Sequence, residues 1–304
     1  MPLVNSKNML LKALSNNYAV PALNFTNLEQ LQTILFVAEK LGSPIIIQAS
    51  KSAIEYIGIS TLMAVVKAET QNLKTDVCLN LDHGDSVEFC EQMIDAGFTN
   101  VMLDMSAENI DKNIENTKLV VDYAHAKNVT VEAELGSLKG VEDEKSCKNS
   151  HFTNPEDALK FVKATNVDSL AISIGTSHGA YKFEGESFLD IERLKEISKL
   201  TKIPLVLHGA SSVSKELKQD FILSGGTIGN ANGVSTQNLL DAIKNGICKI
   251  NCDTDLRIAF TTGLRNELKN SSEFNLRKYL TTAKNTMAKL VEEKIQLFGS
   301  IQKN

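Results

Sequence analysis

The sequence predicts an α/β fold, a (βα)8 TIM barrel with additional N- and C-terminal helices, and three observations carry that prediction. Eight short apolar, β-branched runs alternate with longer segments of helical period. No Pro-, Gly- or Ser-rich linker divides them, so residues 1–304 read as a single domain. With 304 residues, 42% of them hydrophobic, the chain can bury one large core or two modest ones. Eight parallel strands closing into a cylinder, with every face covered, suit this rhythm.

The strands are expected, in order, at residues 20–24, 44–48, 77–81, 100–104, 130–134, 169–174, 204–207 and 246–250. After the first, Thr26 followed three residues later by Glu29 gives a capping-box pattern, and Leu28, Leu31, Leu35, Ala38 and Leu41 recur at helical spacing. After the fifth, "GSLKGVEDEKSCKNSHF" (residues 136–152) is too polar for core and is expected as a long surface loop. "LSGGTIGNANG" (residues 223–233) lacks the Lys-Ser/Thr ending of a P-loop and reads as a connection. From Arg257 onward two amphipathic helical segments are expected, interrupted near residues 270–274.

Composition narrows the partners. A net charge of -5 without a basic run leaves no footprint for nucleic acid. No apolar stretch approaches membrane-spanning length and no charged start precedes a long apolar one, so a soluble, cytoplasmic protein with no membrane partner is expected. Five cysteines form no CxxC pair and do not suggest a disulfide framework; Cys78 and Cys248 lie in apolar runs and read as core.

In such a barrel the reactive side chains gather where the strands end. The polar residues there are Asn24, Ser50, Asp82, His83, Asp104, Glu134, His178, His208 and Asn251. Of the five histidines, three end barrel strands, His83 in "LNLDHGD", His178 in "SIGTSHGAY" and His208 in "PLVLHGAS", whereas His125 and His151 read as solvated. Three imidazoles at one mouth suit a catalytic zinc, which takes three protein ligands and keeps a position open. Asp82 adjoins His83, and successive strand residues point different ways. It either holds a ligand in place or stands beside the metal as a proton-transfer group. Asp104 and Glu134 are either a second cation site or solvated rim carboxylates. Glu142, Asp143 and Glu144 read as a solvated run, with the alternative that a loop carboxylate folds over the metal as an acid/base.

Anion-binding material follows the last two strands. "HGASS" (residues 208–212) and "NCDTD" (residues 251–255) stand where barrels bind phosphate through backbone N–H groups, small side chains and a helix N-terminus. Gly179 and Gly209 allow close backbone approach and Lys182 supplies charge. Ser50 and Ser52 offer another hydroxyl-rich helix start, with ordinary capping the reading for Ser52 and Ser212. Two phosphate corners around one zinc describe a small bisphosphorylated substrate.

These stretches resemble a known family, the class II, zinc-dependent fructose-bisphosphate aldolases. "VPALNFTNLEQLQ", "PIIIQAS", "LDHGDSVEFC", "GFTNVMLD", "VEAELGSLKGVED", "VDSLAISIGTSHGAYK", "PLVLHGASSV" and "KINCDTDLRIAF" come in family order across nearly the whole chain. The resemblance implies a carbon–carbon lyase that cleaves fructose 1,6-bisphosphate in glycolysis and gluconeogenesis. It implies Zn2+ on His83, His178 and His208, Asp82 as acid/base at the C4 hydroxyl, and Glu142 as the loop residue handling the proton on the dihydroxyacetone phosphate carbon. Gly179, Lys182, Gly209, Ser211, Asp253 and Thr254 match positions that hold the ketose C1 phosphate. Asn251 matches the one that holds the enediolate, and Asn24 joins the substrate-binding residues. Ser50 and Arg257 match residues on the distal phosphate, the arginine lent by a neighbouring subunit of a homodimer or homotetramer. Asp104, Glu134 and Glu142 match a second divalent-metal site, and a monovalent cation is a further expected ion. Two departures stand out. The family usually carries Ser-His after the position of Asp104, where this chain has Ser106 and Ala107, and residues 141–152 leave the common pattern after "EDE". The alternative is tagatose-bisphosphate aldolase, whose branch tends to lack the acid at Asp253 and to carry lysine at Arg257; both residues favour fructose. A non-catalytic sugar-phosphate sensor is the rival of another class.

Overall fold

The computed structural model describes residues 3–136, 139–142, 145–147, 151–178, 188–229, 233–269 and 272–303. The elements run α1 (Lys7–Asn16), β1 (Val20–Asn24), α2 (Leu28–Leu41), β2 (Ile45–Ser50), α3 (Lys51–Ile57), α4 (Ile59–Thr70), β3 (Val77–Gly84), α5 (Val87–Ala96), β4 (Asn100–Leu103), α6 (Ile110–His125) and β5 (Thr130–Leu135). They continue with β6 (Lys139–Glu142), β7 (Lys145–Cys147), α7 (Pro155–Thr165), β8 (Ser169–Ile172), β9 (Ser177–His178), α8 (Ile191–Thr201), β10 (Leu205–Leu207), α9 (Lys215–Leu223), α10 (Thr236–Lys244), β11 (Ile247–Cys252), α11 (Thr254–Leu268) and α12 (Leu276–Leu297). Strands β1, β11, β10, β8, β5, β4, β3 and β2 close in that order into a barrel, every pair parallel. The fold is the expected (βα)8 barrel with extra helices.

Alternation along each strand sorts the side chains. Leu23, Ile47, Leu79, Leu81, Val101, Val131, Leu170 and Leu207 face outward into the main apolar cluster that the helices complete. The intervening positions face the lumen, where Met102, Ala171 and Val206 form a small apolar group among polar neighbours. Helix α1 closes the N-terminal end, burying Met9, Leu10 and Ala13 against Val20, Ala22, Ile46, Cys78 and Cys248. Cys78 and Cys248 are core, as expected.

Three local expectations are corrected. The segment read as a long loop after the fifth strand contains β6 and β7, an antiparallel pair, and β6 also pairs in parallel with β9. The β6–β9 pairing spans more than thirty residues of sequence, which local polarity does not reveal. Asn27, not Thr26, caps α2, its side chain accepting from the Gln30 N–H at 2.8 Å. The Gln30 side chain then reaches back to the Thr26 N–H at 2.8 Å, so the reciprocal pattern exists one residue later than expected. Likewise Ser50 caps α3 and Ser214 caps α9, the caps expected of Ser52 and Ser212.

Candidate active site

Strand β3 ends in an irregularity that decides the site. The β3–β4 register shifts between Leu81 and Gly84, and His83 adopts a left-handed φ of 51°. A histidine in that region is uncommon, and such strain gathers at functional positions. The bulge turns His83 back to the lumen beside Asp82, against the expectation that the two point different ways. At Gly84 a Cβ would lie 2.6 Å from the Met102 carbonyl oxygen, so only glycine lets the chain leave the bulge.

The two histidines face each other. His83 Nε2 lies 2.9 Å from His208 Nδ1. On their far sides, His83 Nδ1 meets Asp104 Oδ2 at 2.9 Å and His208 Nε2 meets Glu132 Oε1 at 2.8 Å. A carboxylate only accepts, so each far nitrogen carries a hydrogen, and in the neutral, metal-binding rings each facing nitrogen carries the lone pair. Asn251 Nδ2 also stands 3.1 Å from His208 Nδ1, and a cation bound between the two facing lone pairs would relieve their mutual repulsion. Asp82, His83 and His208 form one group of ligand atoms within 4.8 Å of one another, and His83, Asp104 and Glu134 form a second.

Electrostatics fit that chemistry. Burial pushes the His208 imidazole below its ordinary value, against the pull of the Glu132 hydrogen bond, which favours the neutral, metal-binding ring. Burial would raise the Glu132 carboxyl, but the Lys249 charge and the His208 hydrogen bond hold it down to about 2. Burial likewise works to raise Asp104, and the hydrogen bond from His83, with two hydrogen bonds from Ser106, brings it well below the usual carboxylate range.

Asp82 is gripped through both oxygens. Asn24 Nδ2 donates to Oδ2 at 2.7 Å and Asn251 Nδ2 to Oδ1 at 3.2 Å. Behind Asn24 an amide chain crosses the lumen. Gln48 donates to Asn24 (2.6 Å), Asn80 to Gln48 (3.2 Å) and Asn100 to Asn80 (2.5 Å), while Ser6 and Thr130 donate to Asn100. A second chain backs His208, where Lys249 Nζ lies 2.7 Å from Glu132 Oε2 and both residues are fully buried. Gln48, Asn80, Asn100, Glu132 and Lys249 are absent from the sequence-derived candidates. The signal was their spacing, each of Gln48, Asn80, Glu132 and Lys249 standing two positions before a strand-end polar residue.

The remaining expected residues separate by place. Ser50 is buried where β2 meets α3, its hydroxyl 3.2 Å from that of Ser52. Ser211 Oγ accepts from the Asp253 N–H at 3.4 Å, which joins the segments leaving β10 and β11. Gly209 has φ 62°, and Thr254 opens α11. Arg257 forks onto Asp253 of its own chain, with Nε–Oδ1 and a second guanidinium contact both at 2.8 Å. The backbone of His178 pairs with Gly140, but the side chains of His178 and Glu142, and all of Gly179 and Lys182, lie outside the described residues. His125 and His151, both expected in solvent, are exposed, and His125 contacts Asp168 at 2.8 Å.

Comparison with known proteins places the chain. The family model described as fructose-bisphosphate aldolase class-II matches residues 4–303. The chain belongs to that family. It is 46% identical over 302 residues to a fructose-bisphosphate aldolase from Thermus caldophilus, covering 98% of this chain and 99% of the relative. It is 44% identical over 305 residues to one from Helicobacter pylori strain J99, covering 99% of both. Among solved structures, the YdjI aldolase from Escherichia coli K12 superposes with a TM-score of 0.81 at 28% identity, over 99% of this chain and 98% of that one. The fructose-bisphosphate aldolase from Campylobacter jejuni shares the fold, with a TM-score of 0.78 at 23% identity over 99% and 97%. The class II aldolase family is zinc-dependent, and the facing lone pairs of His83 and His208 supply two nitrogen donors of the kind zinc takes. No helix among the described residues is long and apolar enough to cross a membrane.

Proposed function

We propose that this class II aldolase reversibly cleaves fructose 1,6-bisphosphate to dihydroxyacetone phosphate and glyceraldehyde 3-phosphate in the cytoplasm, as a step of glycolysis and gluconeogenesis. The observation that carries it is Asp82, a carboxylate fixed by two amides and grouped within 4.8 Å with the ligand nitrogens of His83 and His208. His83, His178 and His208 would hold zinc. When bound, zinc supplies the electron sink for the C2 carbonyl as the C3–C4 bond breaks.

The chain's own groups move the protons. Asp82 takes the proton of the C4 hydroxyl, C4 leaves as the aldehyde, and the C3–C4 electron pair passes toward C2. Asn24 and Asn251 keep the carboxylate aimed. Asn251 Oδ1, buried and without a hydrogen-bond partner among the described residues, is an acceptor for a substrate hydroxyl. Glu142 delivers a proton to C3, completing the triose. Gly179, Lys182, Gly209, Ser211, Asp253 and Thr254 hold the C1 phosphate, and Ser50 and Arg257 the distal one. The Asp253–Arg257 fork is intrachain, so an Arg257 that serves a neighbouring subunit of a homodimer or homotetramer must first open it. A second divalent cation at Asp104 and Glu134 would draw on Nδ1 of the same His83 ring.

Asp253 and Arg257 support fructose over tagatose 1,6-bisphosphate by resemblance, since the tagatose branch tends to lack the acid at the first position and to carry lysine at the second. The test is cleavage of both sugars before chelation, after it, and after zinc return. Chelator-sensitive turnover that prefers fructose 1,6-bisphosphate is expected. Turnover that survives complete metal removal contradicts the mechanism, and preference for the tagatose sugar contradicts the substrate.

A further inference from the structure

Helix α12 lies beyond the last barrel strand, and its buried face is apolar through Ala283, Met287, Leu290, Val291 and Ile295. One charge interrupts it. Lys294 is only 3% exposed, and its ammonium lies 2.7 Å from Oδ2 of Asp255, a fully buried residue in the first turn of α11. The same ammonium reaches the Ser212 carbonyl oxygen at 3.4 Å. Three segments therefore meet on one cation: α12, the start of α11, and the stretch leaving β10. The last two carry Gly209, Ser211, Asp253 and Thr254. They are joined again by the Asp253 N–H on Ser211 Oγ. Gly233 packs on the same stretch, where a Cβ would come 2.3 Å from the Ser211 carbonyl oxygen and 2.8 Å from the Val213 nitrogen.

We propose that Lys294 is a positioning residue of the phosphate corner, pinning the Ser212 carbonyl and the Asp255 carboxylate inward so that the backbone above presents its N–H groups to one phosphate of the sugar. The proposal rests on the sugar-bisphosphate reading of the site. In a trans peptide the C=O and the following N–H point in opposite directions, so a Ser212 carbonyl drawn toward the ammonium turns the Val213 N–H away from it. Asp255, held the same way, fixes the first turn of α11, whose free N–H groups favour an anion. Stability alone gives little reason for the charge. A buried ion pair is often no better than the apolar residues that would replace it, and apolar residues fill the rest of this face. Lys294 itself is sealed from solvent and does not touch the ligand.

The test compares two folded variants with the wild type, each zinc-loaded. Lys294→Met with Asp255→Asn removes both charges together and leaves no buried ion unpaired. Lys294→Gln with Asp255→Asn keeps a donor for the Ser212 carbonyl. The probes are calorimetric titration with inorganic phosphate and steady-state cleavage of fructose 1,6-bisphosphate. In the Met variant the phosphate Kd and the KM should rise about ten- to a hundredfold, the worth of one or two charge-assisted hydrogen bonds, with zinc content and kcat close to wild type. The Gln variant should recover most of that affinity. Wild-type phosphate affinity in the Met variant, equal weakening in both variants, or a loss confined to kcat would overturn the proposal. A wild-type protein that binds phosphate but cleaves no fructose 1,6-bisphosphate would refute the substrate reading, while the phosphate affinities of the variants would still judge Lys294.

Discussion

The amide chain that ends on Asp82 and the ionic chain that ends on His208 cross the same barrel interior, yet they are built from opposite materials. The first is neutral: Asn100, Asn80, Gln48 and Asn24 each donate to the next member, and the last donates to the carboxylate. The second is charged: Lys249 holds Glu132, and Glu132 accepts from His208. The difference follows from what each end must do. A base has to keep its own negative charge available, so neutral dipoles aim it without neutralising it. A metal ligand has to present a particular nitrogen, and an anion on the far side fixes that choice while strengthening the donor. A buried anion needs a counter-ion, and Lys249 is that counter-ion, not a Schiff-base nucleophile.

This comparison is broken most severely at its first endpoint. Asp82→Ala should lower kcat by roughly 10²- to 10⁴-fold, the usual worth of a positioned acid/base, with zinc content unchanged. Metal analysis beside steady-state kinetics checks both halves; loss of zinc together with activity would place Asp82 among the ligands.

The next effect tests the ionic chain. Glu132→Gln should weaken zinc about ten- to a hundredfold in competition with a chromophoric chelator, because His208 loses its anionic partner. It also leaves Lys249 as an unpaired buried charge, at a cost of about 3–5 kcal/mol in urea unfolding. In the wild type the sign of the pH dependence follows from the lowered Glu132 pKa. Its stabilisation is present above the ordinary carboxylate value of 4.5 and disappears as the pH falls toward about 2. Stability and zinc retention should therefore fall together through that acid window, as read by thermal unfolding and metal analysis.

The smallest effect belongs to the middle of the amide chain. Gln48→Ala leaves both hydrogen bonds to Asp82 in place, so kcat should stay within about threefold while stability falls by about 1–3 kcal/mol, since the Asn24 and Asn80 amides each lose a partner. A loss in kcat as large as that of Asp82→Ala would mean that the neutral chain tunes the base instead of holding it.

Much of this architecture was legible in the chain because it is written in local periods. Eight apolar runs gave the barrel and its order, and the polar residues closing them gave Asp82, His83, His208 and Asn251. The lumen chains obey a period as simple. In "IQAS", "LNLD", "VEAE" and "KIN", each strand-end polar residue has a polar partner two positions earlier, on the same face. What was hidden depends on backbone shape or on distant pairing. The turn of His83 into the lumen comes from one left-handed φ at a bulge. The strands inside residues 136–152 combine a local antiparallel pair with a parallel pairing of β6 to the distant β9. Lys294 lies in an ordinary amphipathic helix, and only the fold brings it beneath the segment leaving β10.

The most direct measurement of the central claim is anomalous scattering at the zinc edge from crystals of the zinc-loaded protein. The account predicts zinc coordinated by His83 through Nε2 and by His208 through Nδ1, each at about 2.0–2.1 Å, with Asp82 beside it. Zinc bound to His208 through Nε2, or found only among His83 Nδ1, Asp104 and Glu134, would contradict it.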